Sequence, residues 1–298
     1  MENQSEYLLC EDVFNHGFVE LIDVMGSDQA IVNAARTSYA KGTKKVSSTK
    51  QLMRYLLRHN HSGPFEFGVC VFRIRCPLFV ARQWFRHRTA SYNEVSLRYS
   101  EAQEDFYIPE EEWITTQDRR NRQARTEEEI VNAQKIRNML NADAKVLLEH
   151  YNYYLSEGVA REIARINLPL SLYTTFTFKM DIRNLLHFLL LRTDPHAQFE
   201  IRQYALIMEN MIEKYFPFVI EAWRDYYKHA ITFSKPEISI LKEIFQSKLN
   251  LLEEVQEYLE TNQDSISLAK LEQMEFIDKI KLLLGEELDL NYLGKRNQ

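Results

Sequence analysis

The sequence predicts an α+β protein that is mainly helical, with a small antiparallel sheet and a helical C-terminal extension. Two segments, 69–75 and 171–180, are rich in β-branched and aromatic residues, a composition typical of strands. Apolar residues elsewhere recur at spacings of about three and four residues, which indicates amphipathic helices. This helical pattern continues without a strand-like segment through the extension, 229–298.

The first part of the chain contains strands and helices in alternation. Cys70, Phe72, Ile74 and Cys76 alternate with a second set of residues, so the strand over 69–75 is expected to be half-buried. Pro77 suits the first position of the helix that follows. The expected elements are a strand over 18–24, helices over 28–39 and 49–60, the strand over 69–75 and a helix from Pro77 to about His87.

The second part is expected to be mostly helical. Asp181 can cap a helix over 182–192, and Asp194 with Pro195 predicts the start of the next helix, which runs to about Tyr215. The remaining expectations are a long loop over 88–112, an exposed basic stretch over 119–125, helices over 126–155 and 159–167, and a strand over 171–180.

The chain is expected to divide into a core, 1–228, and an acidic helical extension, 229–298. The extension has a net charge of −5, whereas the core has a net charge of −1. Apolar residues in the extension form one helical run over 238–259, a polar break over 261–265 and a second run over 266–284. Two roles are open for this extension: packing on the core and self-association.

Composition excludes several classes of protein. The chain has 298 residues, 45% hydrophobic and 27% charged, as in ordered globular proteins. No apolar stretch approaches the roughly 20 residues that span a bilayer, and no secretory signal is visible before Asp12. Three cysteines without metal or disulfide spacing favour a reducing compartment, so a cytoplasmic location is expected. The net charge of −6 argues against a general nucleic-acid coat protein but is compatible with a local basic site.

Glycine usage limits how a phosphate could be bound. No two of the eight glycines lie at i and i+2, so the dinucleotide fingerprint G-x-G-x-x-G is absent. Gly63 and Gly68 have the spacing of a P-loop, but Val69 and Cys70 follow where lysine and Ser or Thr are required. Any bound phosphate must therefore be held by other donors.

Segment 82–98 carries the densest group of candidate ligand-binding residues. It contains four arginines, no lysine and one acid, Glu94. Guanidinium groups bind phosphates and carboxylates through paired N–H donors, and Ser91, Asn93 and Ser96 add short polar side chains. An oxyanion site and a solvated loop both fit this pattern.

Two helical pairs could extend such a site. Arg161 and Arg165 share one helix face, and Arg183 and His187 share another. Ordinary surface positions, with Glu162 as an ion-pair partner for the first pair, explain either pair in isolation.

Arg192 and His196 flank a predicted helix start, where backbone N–H groups and positive potential favour an oxyanion or an enolate. His59, His61 and Glu66 could instead be considered metal ligands. That interpretation is the weaker one, because no third His or Cys follows at a regular spacing and no H-E-x-x-H motif is present. We therefore expect no metal site and place His61 at a ligand cleft.

Arg86-His87-Arg88, seven further residues and then Ser96 resemble the R-H-R-x7-S motif of the flavin-dependent thymidylate synthases. The similarity covers about residues 13–228 and leaves the extension outside. Its further segments are 17–26, 61–66, 79–85, 161–166, 168–170, 191–192 and 196–198.

This resemblance implies an enzyme that makes dTMP from dUMP. It implies that NADPH reduces a bound FAD and that 5,10-methylenetetrahydrofolate supplies the one-carbon unit. No enzyme cysteine attacks the uracil ring in this family, and Cys70 and Cys76 are expected to be buried structural residues. Family members are homotetramers with sites shared between subunits, so a homotetramer is expected here.

The resemblance also implies roles for individual residues. Arg192 matches an arginine at the uracil edge, where a guanidinium would stabilise negative charge on the ring oxygens. The residues expected to bind dUMP are Gln83, Arg86, Glu94, Ser96, Arg98, Arg165 and Arg192. Those expected to bind FAD are His61, Gly63, Arg86, His87, Arg88, Glu94, Arg183, His187 and His196.

Two other functions are compatible with parts of the sequence. A helical nucleotide- or RNA-binding protein would use segment 82–98 without a flavin, and its binding would fall steeply with salt. A family member that has lost FAD binding is the other alternative. Gly63 and Phe67 motivate it, because they stand where the family commonly has a hydroxyl residue and a histidine.

Overall fold

The computed structural model describes residues 7–38, 48–119, 125–246, 250–262, 265–266 and 268–284. The chain divides into two compact units, Met1–His229 and Ala230–Gln298. The first unit combines an antiparallel sheet with helices, and the second is helical, as the sequence predicts.

A five-stranded antiparallel sheet with the strand order β1-β2-β3-β7-β4 forms the centre of the first unit. Its strands are β1 (Leu9–Val13), β2 (Gly17–Met25), β3 (Val69–Pro77), β4 (Ser91–Glu94) and β7 (Tyr173–Asp181). Cys70, Phe72, Ile74 and Cys76 are fully buried on one face of β3, which confirms the predicted alternation. A separate hairpin pairs β5 (Thr115–Gln117) with β6 (Arg125–Glu129).

Helices of the first unit flank this sheet. They are α1 (Asp28–Arg36), α2 (Thr49–Arg58), α3 (Leu78–Trp84), α4 (Ala133–Ser156), α5 (Arg161–Ala164), α6 (Ile182–Arg192), α7 (Phe199–Glu213) and α8 (Pro217–Trp223). Short 3₁₀ turns cover Gly63–Phe67, Glu111–Trp113 and Arg165–Asn167, and a π-helical turn covers Arg224–Lys228. Asp181 caps α6 as predicted, because its Oδ1 accepts a hydrogen bond of 2.9 Å from the Asn184 backbone N–H.

Core packing brings the end of α3 onto α6. Trp84 and Phe188 are both fully buried, and their rings stack with centroids 5.0 Å apart. Gly68 permits a close approach at the start of α6, since a Cβ there would lie 2.7 Å from Ile182 Cγ1. These contacts place the turn after Trp84 and the turn before Gly68 beside the same helix.

The second unit contains α9 (Lys235–Gln246), α10 (Leu251–Thr261) and α11 (Lys270–Leu284). Both α9 and α10 pack against α11. The predicted single run over 238–259 is therefore two helices, and the predicted second run corresponds to α11. No helix in the described part of the chain is long and apolar enough to cross a membrane.

Several predicted elements are wrong. The expected loop over 88–112 contains β4, which pairs with β7, and β1 was not predicted. Residues 126–129 belong to β6 rather than to a helix; Thr116 and Thr126 hydroxyls bond across this hairpin at 2.6 Å. Residues 120–124 of the basic stretch and residue 39 of the first expected helix lie outside the described residues.

The helix predicted at Asp194 begins five residues later, at Phe199. The Asp194 Oδ1 atom accepts a hydrogen bond of 2.7 Å from the His196 backbone N–H, and this closes a local turn instead of capping a helix. Pro77 is the last residue of β3 and precedes α3, rather than occupying its first position.

Candidate functional site

A pocket of about 460 Å³ lies between α2, α6 and the end of α8, and we call it the first pocket. The predicted residues Arg183 and His187 line it, and Ser62, between His61 and Gly63, also contributes. The remaining lining residues are Leu56, Leu57, Asn60, Phe65, Asn184, Leu186, Leu190, Trp223 and Tyr227. The walls are thus largely apolar, with basic side chains on one helix.

Arg183 and His187 are one helical turn apart on α6, and both are exposed. The Arg183 Nη1 atom donates a hydrogen bond of 2.5 Å to Glu66 Oε1, in the 3₁₀ turn at Gly63–Phe67. This ion pair joins α6 to the segment that contains Gly63. Both side chains remain half-exposed at the pocket, where an anion could compete for the guanidinium.

His87 is buried beside the first pocket. Its ring centroid lies 5.6 Å from that of His187, and its Nε2 atom lies 3.0 Å from Thr89 Oγ1. Burial lowers the pKa of His87 below its ordinary value, and the nearby His187 and Arg192 lower it further. His87 is therefore held in its neutral form.

Arg192, the predicted catalytic residue, ends α6 next to this histidine. Its Nε atom is buried and has no hydrogen-bond partner among the described residues. Burial lowers its pKa, and the nearby Tyr92 opposes that shift. The Tyr92 hydroxyl donates a hydrogen bond of 2.6 Å to the His87 carbonyl oxygen, and burial raises the Tyr92 pKa to about 12. A half-buried guanidinium without a carboxylate partner is an unusual arrangement, and it suits a ligand that brings negative charge.

Gln83, on α3, is a second unsatisfied residue. Its Oε1 atom is buried without a hydrogen-bond partner in the described structure. Arg86 and Arg88, in the following turn, are exposed and form no ion pair with any described carboxylate. Buried polar atoms are normally paired, so Gln83 Oε1 fits a site that a ligand completes. The two exposed arginines add positive charge in the turn that follows.

A second pocket, of about 340 Å³, lies near the end of β4, and we call it the second pocket. Glu94 and Arg165 line it, as does Thr174, whose hydroxyl donates a hydrogen bond of 2.7 Å to Glu94 Oε1. The remaining lining residues are Leu78, Val95, Leu97, Glu162, Ile166, Leu168, Leu172 and Tyr173. Arg165 has no carboxylate partner in the described part of the chain, so its charge is available to a ligand.

The other predicted residues near the second pocket have weaker contacts. Ser96 lies between two lining residues, and its Oγ accepts a hydrogen bond of 3.3 Å from the Arg98 backbone N–H. The Arg98 Nε atom lies 3.8 Å from Glu162 Oε2. Arg161 pairs with Glu101 at 2.7 Å and not with Glu162, the partner that the sequence suggested, because Glu162 lies nearer to Arg98.

The predicted residues are divided between the first and second pockets of the described structure, and some lie outside both. Neither pocket is lined by Gln83, Arg86 or Arg192. His196 lies outside both pockets, with its side chain 69% exposed and paired to Asp194. Thr174 was missed because a threonine in a strand carries no signal of its own, although its segment was correctly predicted to be a strand.

The cysteines show no sign of activation. Cys70 and Cys76 are buried in β3, and burial raises the pKa of the Cys70 thiol to about 12. Burial also raises the pKa of Cys76. The predicted structural role of these two residues agrees with this placement. Among the described residues, no group of three His, Cys, Asp or Glu side chains could hold a metal ion.

Comparison with known proteins assigns the core to a family. A family model described as "Thymidylate synthase complementing protein" matches residues 20–218. A flavin-dependent thymidylate synthase of Ehrlichia ruminantium (strain Gardel) is 46% identical over 233 residues, 78% of each chain. The enzyme of the same description from Wolbachia pipientis wMel is 44% identical over 237 residues, 79% of this chain and 84% of the relative.

Solved structures support the same assignment. The UMP/dUMP methylase PolB from Streptomyces cacaoi, in its crystal structure with 5-Br UMP, superposes with a TM-score of 0.66. It is 35% identical in sequence, and the match covers 74% of this chain and 99% of that chain. The fold and site therefore define a nucleotide-modifying enzyme. The chain belongs to the flavin-dependent thymidylate synthases and synthesises dTMP, which confirms the prediction from the R-H-R-x7-S motif.

Proposed function

We propose that the chain methylates dUMP in the cytoplasm, with 5,10-methylenetetrahydrofolate as the carbon donor and NADPH-reduced FAD as the hydride source. The observation that carries this proposal is the half-buried, unpaired guanidinium of Arg192 beside the neutral His87. Such a cation is costly to bury unless a ligand brings negative charge to it.

The first pocket fits a flavin dinucleotide. Its apolar walls suit an aromatic group, and Arg183 and His187, which line it, offer N–H donors for the two phosphates of FAD. His61, Gly63, His87 and Arg88 are the further FAD residues of this proposal, with Arg86 and Glu94 shared with dUMP. His196 would join them from outside the pocket. FAD would supply the hydride that completes the methyl group.

The second pocket fits the nucleotide. Arg165 provides an unpaired positive charge, and Glu94 provides a carboxylate that Thr174 holds in place. We assign dUMP binding to these two residues together with Gln83, Arg86, Ser96, Arg98 and Arg192. A phosphate and a sugar together need both cationic donors and an acceptor, and this set supplies both.

Arg192 would activate the pyrimidine. C5 of uracil becomes nucleophilic as negative charge develops on the ring oxygens, and a fixed guanidinium stabilises that charge without reorganisation. Burial of Arg192 Nε strengthens this interaction, because water does not screen it. The neutral His87 beside it adds no competing positive charge.

We also propose that the active form is a homotetramer with shared sites. The first and second pockets share no lining residue, and Arg192 and Gln83 line neither, so neither of these pockets gathers all the residues assigned to dUMP and FAD. A second copy could supply the missing walls. Helix α4 carries an exposed apolar stripe at seven-residue spacing, Met139, Val146 and Tyr153, which suits packing against another copy of the chain.

An absorption spectrum tests the proposal most directly. The purified protein, supplied with FAD and freed of excess, is expected to retain a flavin spectrum that bleaches anaerobically with NADPH and dUMP. Formation of dTMP on addition of 5,10-methylenetetrahydrofolate completes the test. A protein that holds dUMP but no FAD would overturn the proposed cofactor site, and binding of RNA with a steep salt dependence would favour the nucleic-acid alternative.

A further inference from the structure

The core ends in a π-helical turn, Arg224–Lys228, that directly follows α8. The His229 backbone N–H donates a hydrogen bond of 2.9 Å to the Arg224 carbonyl oxygen, which is the i to i+5 pattern of a π-helix. Such turns are rare and are frequently found at functional sites. This one lies beyond residue 218, where the match to the family model ends.

Ion pairs hold the turn from two sides. Arg224 Nε and Lys228 Nζ donate to the two carboxylate oxygens of Glu209, at 2.7 and 2.6 Å. On the other side, the buried Arg54 donates a hydrogen bond of 2.6 Å to Asp225 and one of 2.9 Å to the Tyr226 hydroxyl. An unfavourable backbone turn persists where its surroundings over-determine it, and four of its five residues are fixed in this way.

The fifth residue, Tyr227, is the one member of the turn that lines the first pocket. Its hydroxyl lies 3.0 Å from the Leu57 carbonyl oxygen and 2.7 Å from Asn60 Oδ1, and it shares its proton between them. Burial raises the Tyr227 pKa, so this donor remains protonated at neutral pH. Tyr227 therefore ties the end of the core to the end of α2.

Asn60 is the residue at which the chain turns out of α2. Its φ of +57° is in the left-handed region, which is strained for most residues and tolerated by asparagine. The Ser62 backbone N–H then donates a hydrogen bond of 2.9 Å to the Asn60 carbonyl oxygen. The conformation at Asn60 consequently sets where His61, Ser62 and Gly63 lie, and Ser62 of this segment lines the first pocket.

We propose that Tyr227 is a positioning residue for the FAD site. Its hydroxyl holds the left-handed turn at Asn60 and, through that turn, the segment His61–Gly63. This inference rests on the proposed function, because it takes the first pocket as the cofactor site. It adds to that site an aromatic residue that belongs to none of the motifs from which the site was predicted.

Tyr227→Phe removes the hydroxyl and keeps the ring at the pocket. We expect its Kd for FAD, measured by flavin fluorescence titration of the full chain, to rise at least about fivefold, since one net hydrogen bond has about that effect. The Kd for dUMP, measured on the same protein, should not change. Tyr226→Phe is the matched control: it removes a hydroxyl from the same turn, outside the pocket, and should lower Tm without weakening FAD binding.

A second variant separates positioning from general loosening. Asn60→Gly retains the left-handed turn and removes the amide, so it should weaken FAD binding, and its effect should not add to that of Tyr227→Phe. Unchanged FAD affinity in Tyr227→Phe, or equal loss of affinity in Tyr226→Phe, would overturn the proposal. Failure of the unmodified protein to bind FAD would instead overturn the proposed function.

Discussion

The two pockets of the core differ in how their charged residues are neutralised. In the first pocket Arg183 is already paired with Glu66 at 2.5 Å, and the remaining walls are largely apolar. In the second pocket Arg165 has no described carboxylate partner, and Glu94 is held by a hydroxyl rather than by a cation. A ligand of the first pocket must compete with an ion pair, whereas a ligand of the second meets a charge that is already free.

This difference suits two ligands of different size. A large cofactor gains binding energy from apolar area and tolerates competition for one guanidinium. A mononucleotide offers little apolar area, so it depends on charge-assisted hydrogen bonds to unpaired groups. Arg192 lines neither pocket, and beyond its assigned contact with dUMP its largest contribution is expected in turnover.

The largest effect is expected for Arg192→Ala. Removing the guanidinium removes the stabilisation of charge on the uracil oxygens, and kcat for dTMP formation should fall about 100- to 1,000-fold. FAD should remain bound, because Arg192 is assigned to dUMP and not to the cofactor, and it does not line the first pocket. Turnover with saturating substrates and the flavin spectrum of the same sample measure both quantities. Normal turnover would remove Arg192 from the mechanism, and loss of flavin would place it in the cofactor site.

A smaller effect, confined to the nucleotide, is expected for Arg165→Ala. Loss of a charge-assisted hydrogen bond should raise the Kd for dUMP roughly 10- to 100-fold, while the Kd for FAD stays the same. Arg161→Ala is a matched control on the same short helical segment, since Arg161 is already paired with Glu101 at 2.7 Å. Isothermal titration with dUMP distinguishes the two variants. Equal losses of dUMP affinity in the two variants would contradict the assignment of Arg165 to the dUMP site.

Much of the fold was predictable because it is encoded locally. Strand β3 shows its alternation within nine residues, and the N-cap of α6 can be predicted from Asp181 alone. Strand β4 has only four residues, and it exists because β7 offers an edge to pair with, at residues 82 to 88 positions later in the chain. The hairpin β5–β6 likewise depends on cross-strand contacts that outweigh helix propensity in residues 126–129.

The site was predictable in its members but not in its arrangement. The resemblance to the family identifies Arg192, yet only the structure shows that its Nε is buried without a hydrogen-bond partner among the described residues. The sequence does not distinguish Arg161 from Arg165, which share one helix face. In the structure Glu101, sixty residues before Arg161, pairs with Arg161. Arg165 is left without a described carboxylate partner. Thr174 and Tyr227 carry no sequence signal, because their roles arise from what folding places beside them.

The smallest effect is expected in the pH dependence of stability. It distinguishes the buried His87, beside the first pocket, from an exposed histidine. Burial, His187 and Arg192 keep the pKa of His87 below the ordinary value of about 6.5 that it has in the unfolded chain. The unfolded state therefore binds more protons as the pH falls through this value, and the folded state loses stability. The stabilisation is complete above about pH 6.5 and is lost progressively between that value and the lower folded-state pKa.

Thermal unfolding of His87→Asn should depend less on pH between 7.5 and 5.5, whereas His150→Asn, at an exposed position on α4, should follow the unmodified protein. An unchanged slope in His87→Asn would show that His87 is not the group held neutral by folding.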